Sequence, residues 1–255
     1  MNITWFGTAS VAIETAHSRI LFDPFIPFPG SEVTTTAKDF DGYDHIFVTH
    51  GHVDHIASIP ALVKGRAVTI HCTETPADTL IKKGVSADSI HRIKPNDTIT
   101  VGDMELQVLQ GRHIRFDLAL IAKTLLSTRV IRHAGNIPGF LRENAVCKEN
   151  GEIVCYAIRA EGKTLLLMGS LGFDPSAAYP GDADWLILPF QGASDLVTPA
   201  AGIIGTLKPR NILLDHFDDT FPPVSSHVPL EGIKAWLKEH HPEMGMVVPE
   251  YREKV

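Results

Sequence analysis

Four residues of metal-binding types follow one short apolar run in the first quarter of the chain. The run 46–48 reads Ile-Phe-Val, and soon after it come, in order, His50, His52, Asp54 and His55. A short apolar run bounded by a turn residue is typical of a buried strand, and Gly51 supplies the turn signal. The pattern predicts a strand that ends in a tight loop, a common place for the chemistry of a rigid scaffold.

Imidazole and carboxylate side chains together indicate a site for zinc or a similar divalent ion. On an irregular loop alternate residues can face the same side, so we expect His50 and His52 to share one metal. Asp54 and His55 would then face a neighbouring position. A helical zinc-protease pair is excluded, because that motif needs two histidines four residues apart with a glutamate between them. A polar surface loop rich in histidine is the remaining alternative.

The spacing His50-x-His52-x-Asp54-His55 after an apolar strand resembles the signature of the metallo-β-lactamase superfamily. In that family a histidine past a later strand completes the first metal site, and His113 stands at the matching place. A last histidine belongs to the second metal, and His216 in the run 215–223 (DHFDDTFPP) matches it. This run is also similar to a branch of small hydrolases that resemble the ascorbate-phosphate lactonases.

The resemblance therefore implies two neighbouring sites for Zn²⁺ or Mn²⁺. The first would use three imidazoles and keep a position open for water. The second would combine one carboxylate with two imidazoles. The implied ligand sets are His50, His52 and His113 for the first ion, and Asp54, His55 and His216 for the second.

Three further residues bear on these sites through the same resemblance. Asp23 matches an aspartate that supports the metal loop from behind, although a turn aspartate before a proline explains it equally well. The family usually has a metal-bridging aspartate directly after the glycine that ends a later strand, and this chain has Ser170 there. A hydroxyl is a poor zinc ligand at neutral pH. Either the second metal is weak or absent, or Asp174 takes the place of the bridge.

Several cationic side chains are candidates for contact with an anionic substrate. Arg112 and Arg115 lie on either side of His113, just after a predicted strand. Guanidinium groups bind phosphate and carboxylate in a bidentate manner. A solvated surface position is the simpler interpretation for any single arginine. His227 follows a proline-rich loop, where it can either line the cleft or lie on the surface.

Alternating apolar positions and turn residues place strands in both halves of the chain, with helices after each set. Hairpins are predicted at 97–109 and 153–168, through Gly102-Asp103 and Glu161-Gly162. Helices are predicted at 75–83, with Thr75 as the N-cap, at 198–207 and at 230–240. This pattern indicates a mixed α/β chain, and the resemblance implies a four-layer αββα metallo-β-lactamase-like sandwich. We expect one domain over 1–255, with an insertion at about 118–150 over the active-site face as a substrate lid or subunit contact.

Composition limits the classes of partner. With 44% hydrophobic and 21% charged residues, the chain is typical of a globular protein with a sizeable core. A net charge of −7, with the charges scattered, disfavours a nucleic acid or an anionic membrane held by bulk charge. Three cysteines cannot all pair, and neither a leader nor a membrane-length apolar run is visible. We expect a cytoplasmic protein that binds a small-molecule substrate, and its assembly into a homo-oligomer stays open.

These observations predict a metal-dependent hydrolase. The metal would lower the pKa of bound water and yield a hydroxide that attacks an ester-like bond, a lactone or a phosphodiester, in a small anionic substrate. Asp54 is the candidate to orient that water and pass its proton to the leaving group, and His216 could polarise the substrate oxygen if the second metal is missing. The alternative is a non-catalytic or metal-sensing member that has lost the bridging aspartate. A flavodiiron-type redox protein is disfavoured, because it needs more carboxylate ligands and a flavin domain.

Overall fold

The computed structural model describes residues 1–115, 120, 124 and 126–255. Within these residues the backbone forms two β-sheets. The first holds the strands of the N-terminal part, which pair in sequence order: β1 (Asn2–Trp5), β2 (Val11–Glu14), β3 (Arg19–Phe22), β4 (His45–Phe47), β5 (Thr69–Cys72) and β6 (Ile90–Arg92). The pairs β1–β2 and β2–β3 are antiparallel, and the pairs from β3 to β6 are parallel.

The second sheet holds the later strands, again in sequence order across the sheet: β7 (Thr98–Val101), β8 (Met104–Gln110), β9 (Val154–Ala160), β10 (Lys163–Leu167), β11 (Trp185–Pro189), β12 (Asn211–Asp215) and β13 (Gly245–Val247). The pairs from β7 to β10 are antiparallel, and those from β10 to β13 are parallel. Both hairpins predicted from glycine-containing turns, β7–β8 and β9–β10, are confirmed.

Helices cover both outer faces of the pair of sheets. Those of the described residues are α1 (Val53–Ile56), α2 (Ile59–Leu62), α3 (Glu74–Lys82), α4 (Thr128–Arg132), α5 (Ile137–Val146), α6 (Val197–Leu207) and α7 (Glu231–His240). No helix in these stretches is both long and apolar enough to cross a bilayer. The predicted helices over 198–207 and 230–240 are confirmed as α6 and α7.

Alternate residues of an inner strand serve opposite layers, as the two-residue repeat of a strand requires. In β3, Ile20 and Phe22 belong to the core between the two sheets, while Leu21 packs with the apolar side of α1 to α3. Phe22 meets Tyr156 of β9 across the interface, with ring centroids 5.2 Å apart. Both faces of the sheet are therefore buried, which confirms the predicted αββα sandwich.

Two local predictions about helices are wrong. Asp54 and His55 lie in the short helix α1 instead of a loop, and the extended residue His52 is its N-cap. Thr75 is not the N-cap of α3; that position belongs to Thr73. The Thr75 backbone N and Oγ1 donate instead to the carboxylate of Glu152, at 2.8 and 2.6 Å.

The predicted insertion is described in part, since residues 116–119, 121–123 and 125 lie outside the described residues. Its remainder carries α4 and α5 and is attached to the rest of the protein at both ends. Asn136 Nδ2 donates to the carbonyl groups of Pro29 and Pro222, at 3.0 and 2.8 Å. Glu143 of α5 pairs with Lys83 at the end of α3. The segment thus bridges loops that belong to different ends of the chain.

Candidate metal centre

The second sheet holds the backbone that leads into the ligand segment, which is the stretch from His50 to His55. Tyr156 Oη donates to the Val48 carbonyl at 2.6 Å, and Val154 N donates to the Thr49 carbonyl at 3.0 Å. Both donors belong to β9. The packing of the two sheets therefore sets the position at which His50 leaves the core.

The first cluster, the three-histidine group, consists of His50, His52 and His113. One ring nitrogen of each lies within 4.8 Å of the others. His50 Nε2 and His52 Nδ1 are 3.0 Å apart, and the His113 ring centroid is 4.7 Å from that of His52. His113 Nδ1 lies 2.7 Å from the Ile114 carbonyl, a contact of the kind that orients a metal-binding imidazole.

The second cluster, the mixed group, consists of Asp54, His55 and His216, with ligand atoms again within 4.8 Å of one another. Asp54 Oδ2 is 2.8 Å from His216 Nε2 and 3.6 Å from His55 Nε2. His216 follows β12 in the left-handed region, with φ at 56°, and its backbone N donates to the Thr8 carbonyl. The rings of His50 and His55 are 3.9 Å apart, so the two groups are neighbours.

Asp23 lies behind the mixed group, at the end of β3. Its Oδ1 accepts from Thr49 N at 2.8 Å, and its Oδ2 accepts from Thr49 Oγ1 at 2.6 Å. The same Oδ2 is 2.8 Å from His55 Nδ1. A carboxylate on the far nitrogen of an imidazole orients the ring and raises its basicity. Asp23 therefore joins Thr49 and His55 from behind the ligand residues.

The three-histidine group is electrostatically suited to a divalent ion. Burial lowers the pKa of His52 to about 4 and holds the pKa of His50 well below its usual value. Burial also lowers the pKa of His113, against the opposing effects of the Ile114 carbonyl and the Glu149 carboxylate. Neutral imidazoles need to release no proton before they bind a metal. Three such donors match the ligand set of catalytic zinc.

The mixed group is charged instead. Burial works against the charged form of His55, but the carboxylates of Asp23 and Asp54 outweigh it and raise its pKa to about 9. The hydrogen bond to Asp54 likewise raises the pKa of His216 in spite of burial. The two imidazoles in turn hold the pKa of Asp54 far below its usual value, although burial opposes them. A metal that binds here must displace protons, so its affinity depends on pH.

Ser170 and Asp174, the two residues considered for the metal-bridging aspartate, have other partners. Ser170 Oγ accepts from Ile114 N at 3.1 Å, next to His113. Asp174 Oδ1 accepts from Ser176 N and Ser176 Oγ, at 2.9 and 2.7 Å, and its Oδ2 accepts from Arg112 Nε at 3.2 Å. Asp174 lies in neither group. Its role as a substitute bridge therefore stays a prediction.

The three proposed substrate contacts are exposed, and two of them lie beside carboxylates. Arg112 is engaged with Asp174 and is largely exposed. Arg115 is exposed at the end of the first described stretch. His227 is exposed and its Nδ1 lies 3.0 Å from Glu32 Oε2.

Buried carboxylates near the two groups escaped the sequence reasoning. Asp215 precedes His216, and burial raises its pKa to about 7. Asp218 accepts from Thr8 N with both oxygens, and burial raises its pKa to about 6. The aspartate-rich run 215–219 was a visible signal for this pair. Glu149, which influences the pKa of His113, has no local pattern that points to it.

A profile of the family described as beta-lactamase superfamily domain matches residues 18–243, which contain both groups. A UPF0173 metal-dependent hydrolase from Rhizobium etli is 34% identical over 143 residues, which are 55% of this chain and 57% of that protein. A UPF0173 metal-dependent hydrolase from Ligilactobacillus salivarius is 25% identical over 234 residues, covering 89% of this chain and 90% of that protein. The chain spans about half the length of the curated relatives that match first.

Among solved structures, a novel metallo hydrolase from the hyperthermophilic archaeon Ignicoccus hospitalis is similar over the whole chain. The TM-score is 0.69 with 17% sequence identity, and the match covers 100% of this chain and 97% of that one. At this level of identity the similarity concerns the fold alone.

Proposed function

This chain belongs to the β-lactamase superfamily, and from that premise we propose that it is a metal-dependent hydrolase of small molecules. The name metal-dependent hydrolase, carried by relatives that align with 89% of the chain, supports this class of enzyme. We further propose an ester-like bond as the target, in a lactone or a phosphodiester. Both place a carbonyl or phosphoryl centre where an activated water can attack it.

One observation carries the proposal: the two groups of metal-binding side chains are adjacent and meet through His50 and His55. The three-histidine group offers neutral donors for an ion. The mixed group brings a carboxylate and two imidazoles with raised pKa values to the same place. An ion site beside groups that carry and accept protons is what hydrolysis by an activated water requires.

We propose Zn²⁺ as the ion of the three-histidine group, with Mn²⁺ as the alternative. Imidazole suits zinc well, and manganese prefers carboxylate and water ligands. The bound ion would supply Lewis-acid chemistry and lower the pKa of water towards neutrality. A second ion would belong to the mixed group, where it would have to displace the proton that the raised pKa of His55 retains.

Asp54 and His216 are the proposed proton-handling pair. Asp54 remains a carboxylate because its two imidazole neighbours stabilise the negative charge. Its carboxylate can therefore accept a hydrogen bond from the attacking water and orient it, and would pass on the water's proton to the leaving group. While no second ion occupies the mixed group, His216 Nε2, 2.8 Å from Asp54 Oδ2, can polarise the substrate oxygen.

The insertion is proposed as a cover over this site within a single domain. Arg129 of α4 pairs with Asp219 and donates to the Ser225 carbonyl, both in the segment after His216. At its other end the Lys148 carbonyl lies against Gly51, between two of the histidines. A segment held at these two places restricts the substrate to small molecules.

A non-catalytic, metal-binding role is the second candidate, and Ser170 is the observation that favours it. Its hydroxyl is engaged with Ile114 N and supplies no bridging charge. Such a protein would bind an ion at the three-histidine group without hydrolysing a substrate.

The test is hydrolysis of a panel of lactones and phosphodiesters by chelated protein to which Zn²⁺ or Mn²⁺ has been restored. We expect metal-dependent turnover that falls at least about a hundredfold in Asp54→Asn. Asp44→Asn is the matched control, because Asp44 is exposed and directly precedes β4, the strand that leads to the ligand segment. Full activity in Asp54→Asn would remove that residue from the mechanism. A fully metal-loaded protein without turnover on any substrate of the panel would favour the non-catalytic candidate.

A further inference from the structure

One carboxylate outside the two groups lies between the loops that carry the three histidines. Glu149 belongs to the segment that joins α5 to β9. On one side of this segment the Lys148 carbonyl approaches Gly51 so closely that a Cβ on that glycine would lie 1.9 Å away. On the other side the Ile153 carbonyl accepts from Gly111 N at 2.9 Å, two residues before His113. The segment is therefore wedged between the two ligand loops.

The Glu149 side chain makes an incomplete set of contacts there. Its Oε2 is buried and makes no hydrogen bond within the described part of the chain. The adjacent cation does not neutralise it, since Lys148 Nζ donates to the Asn144 carbonyl at 2.7 Å. Glu149 as a whole is partly exposed, but an oxygen that is buried without a donor is unfavourable, and native proteins keep few such atoms.

The three-histidine group provides a reason to keep this one. Its imidazoles are neutral, so a divalent ion bound to them would keep its full positive charge. In the family that this chain resembles, the compensating carboxylate comes from an aspartate at the position of Ser170. Here that position carries a hydroxyl, which accepts a hydrogen bond from Ile114 N. A carboxylate on the adjacent segment can compensate the same charge from another direction.

We propose that Glu149 is the carboxylate that serves the three-histidine metal site in place of the missing aspartate. Glu149 is not part of the cluster of ligand atoms within 4.8 Å, so it is a positioning residue that acts through its charge and through water. The inference rests on the proposed function only in that it needs an ion at this site. It predicts that Glu149 weakens the metal-free fold and strengthens the metal-bound one.

The test compares Glu149→Gln with the wild type and with Glu105→Gln. Glu105 is an exposed glutamate of β8 that pairs with Arg159, so the control makes the same chemical change away from the site. Zn²⁺ affinity is measured by competition with a chromogenic chelator, and melting temperature is measured with chelator and with saturating Zn²⁺. We expect Glu149→Gln to bind Zn²⁺ about tenfold more weakly or worse, as substitutions around metal ligands do. Its metal-free melting temperature should equal or exceed that of the wild type.

Each other outcome is decisive. Equal Zn²⁺ affinity in Glu149→Gln and wild type would overturn the inference and leave the proposed hydrolase untouched. A lower metal-free melting temperature in Glu149→Gln would also overturn it, because that result would mean a structural partner for the carboxylate. A wild-type protein that binds no Zn²⁺ or Mn²⁺ would overturn the proposed function together with this inference.

Discussion

Replacing Asp23 with asparagine removes a negative charge from the centre of the ligand segment while it keeps the shape of the side chain. Asp23 is 1% exposed and His55 is 3% exposed. Asparagine can still accept one hydrogen bond from Thr49. It cannot offer His55 Nδ1 the carboxylate oxygen that now lies 2.8 Å away.

The size of the effect follows from the proton affinity of His55. Its pKa is raised from 6.5 to about 9, in spite of burial, by Asp23 first and Asp54 second. At about 1.4 kcal/mol for each tenfold change in proton affinity, the two carboxylates favour the charged imidazole by on the order of 3 kcal/mol. Asp23 is the larger contributor. We therefore expect Asp23→Asn to lower the free energy of unfolding of the metal-free protein at pH 6 by about 2 kcal/mol.

The assay is urea unfolding at pH 6 in the presence of a chelator, followed by far-UV circular dichroism. Asp78→Asn is the control, since Asp78 pairs with Arg92 at an exposed position, and its unfolding midpoint should stay within error of the wild type. A loss below about 0.5 kcal/mol in Asp23→Asn, the size of an ordinary surface substitution, would refute the argument that this buried pair stabilises the ligand segment.

Three further predictions concern the same region. Because the pKa of His55 is raised, its contribution to stability is complete below pH 6.5 and is lost as the pH rises through about 9. The urea midpoint of the chelated protein should fall over that pH range, and a flat profile would contradict the pairing of His55 with Asp23. Gly51→Ala places a Cβ 1.9 Å from the Lys148 carbonyl, so it should cost about 2 kcal/mol in unfolding and weaken Zn²⁺ binding; an unchanged melting temperature would contradict the close packing. Ser170→Asp should raise the metal content per chain, counted by elemental analysis, and an unchanged count would mean that a carboxylate at this position does not reach the ions.

Much of the fold was predictable because its signals are local. The turn residues Gly102 and Gly162 marked both hairpins, and alternating apolar positions marked the strands. His50 and His52 were predictable as partners because they are two residues apart on one loop. His113 and His216 could be assigned only through the resemblance, since their approach to the ligand segment depends on which strands become neighbours.

Some local details were present in the sequence but were misread. Asp174 is followed by Pro175 and Ser176, and a short side chain that accepts from the backbone two residues on is a common turn. The structure contains that turn, and Asp174 is not among the residues of the two metal-binding groups. Asp54 and His55 were assigned to a loop because a single helical turn of four residues has too short a period to detect.

The sequence by itself determined the types of ligand, the positions of most strands along the chain and the absence of an aspartate at position 170. Only the tertiary structure decided which partner each carboxylate has around the site. Asp23 meets His55, and Glu149 lies between the ligand loops, because two sheets and an insertion pack around one cleft. Periodicity and turn signals extend over a few residues, whereas these contacts join segments that are brought together by burial of the shared core. The charge around the metal site is therefore a property of the packed fold.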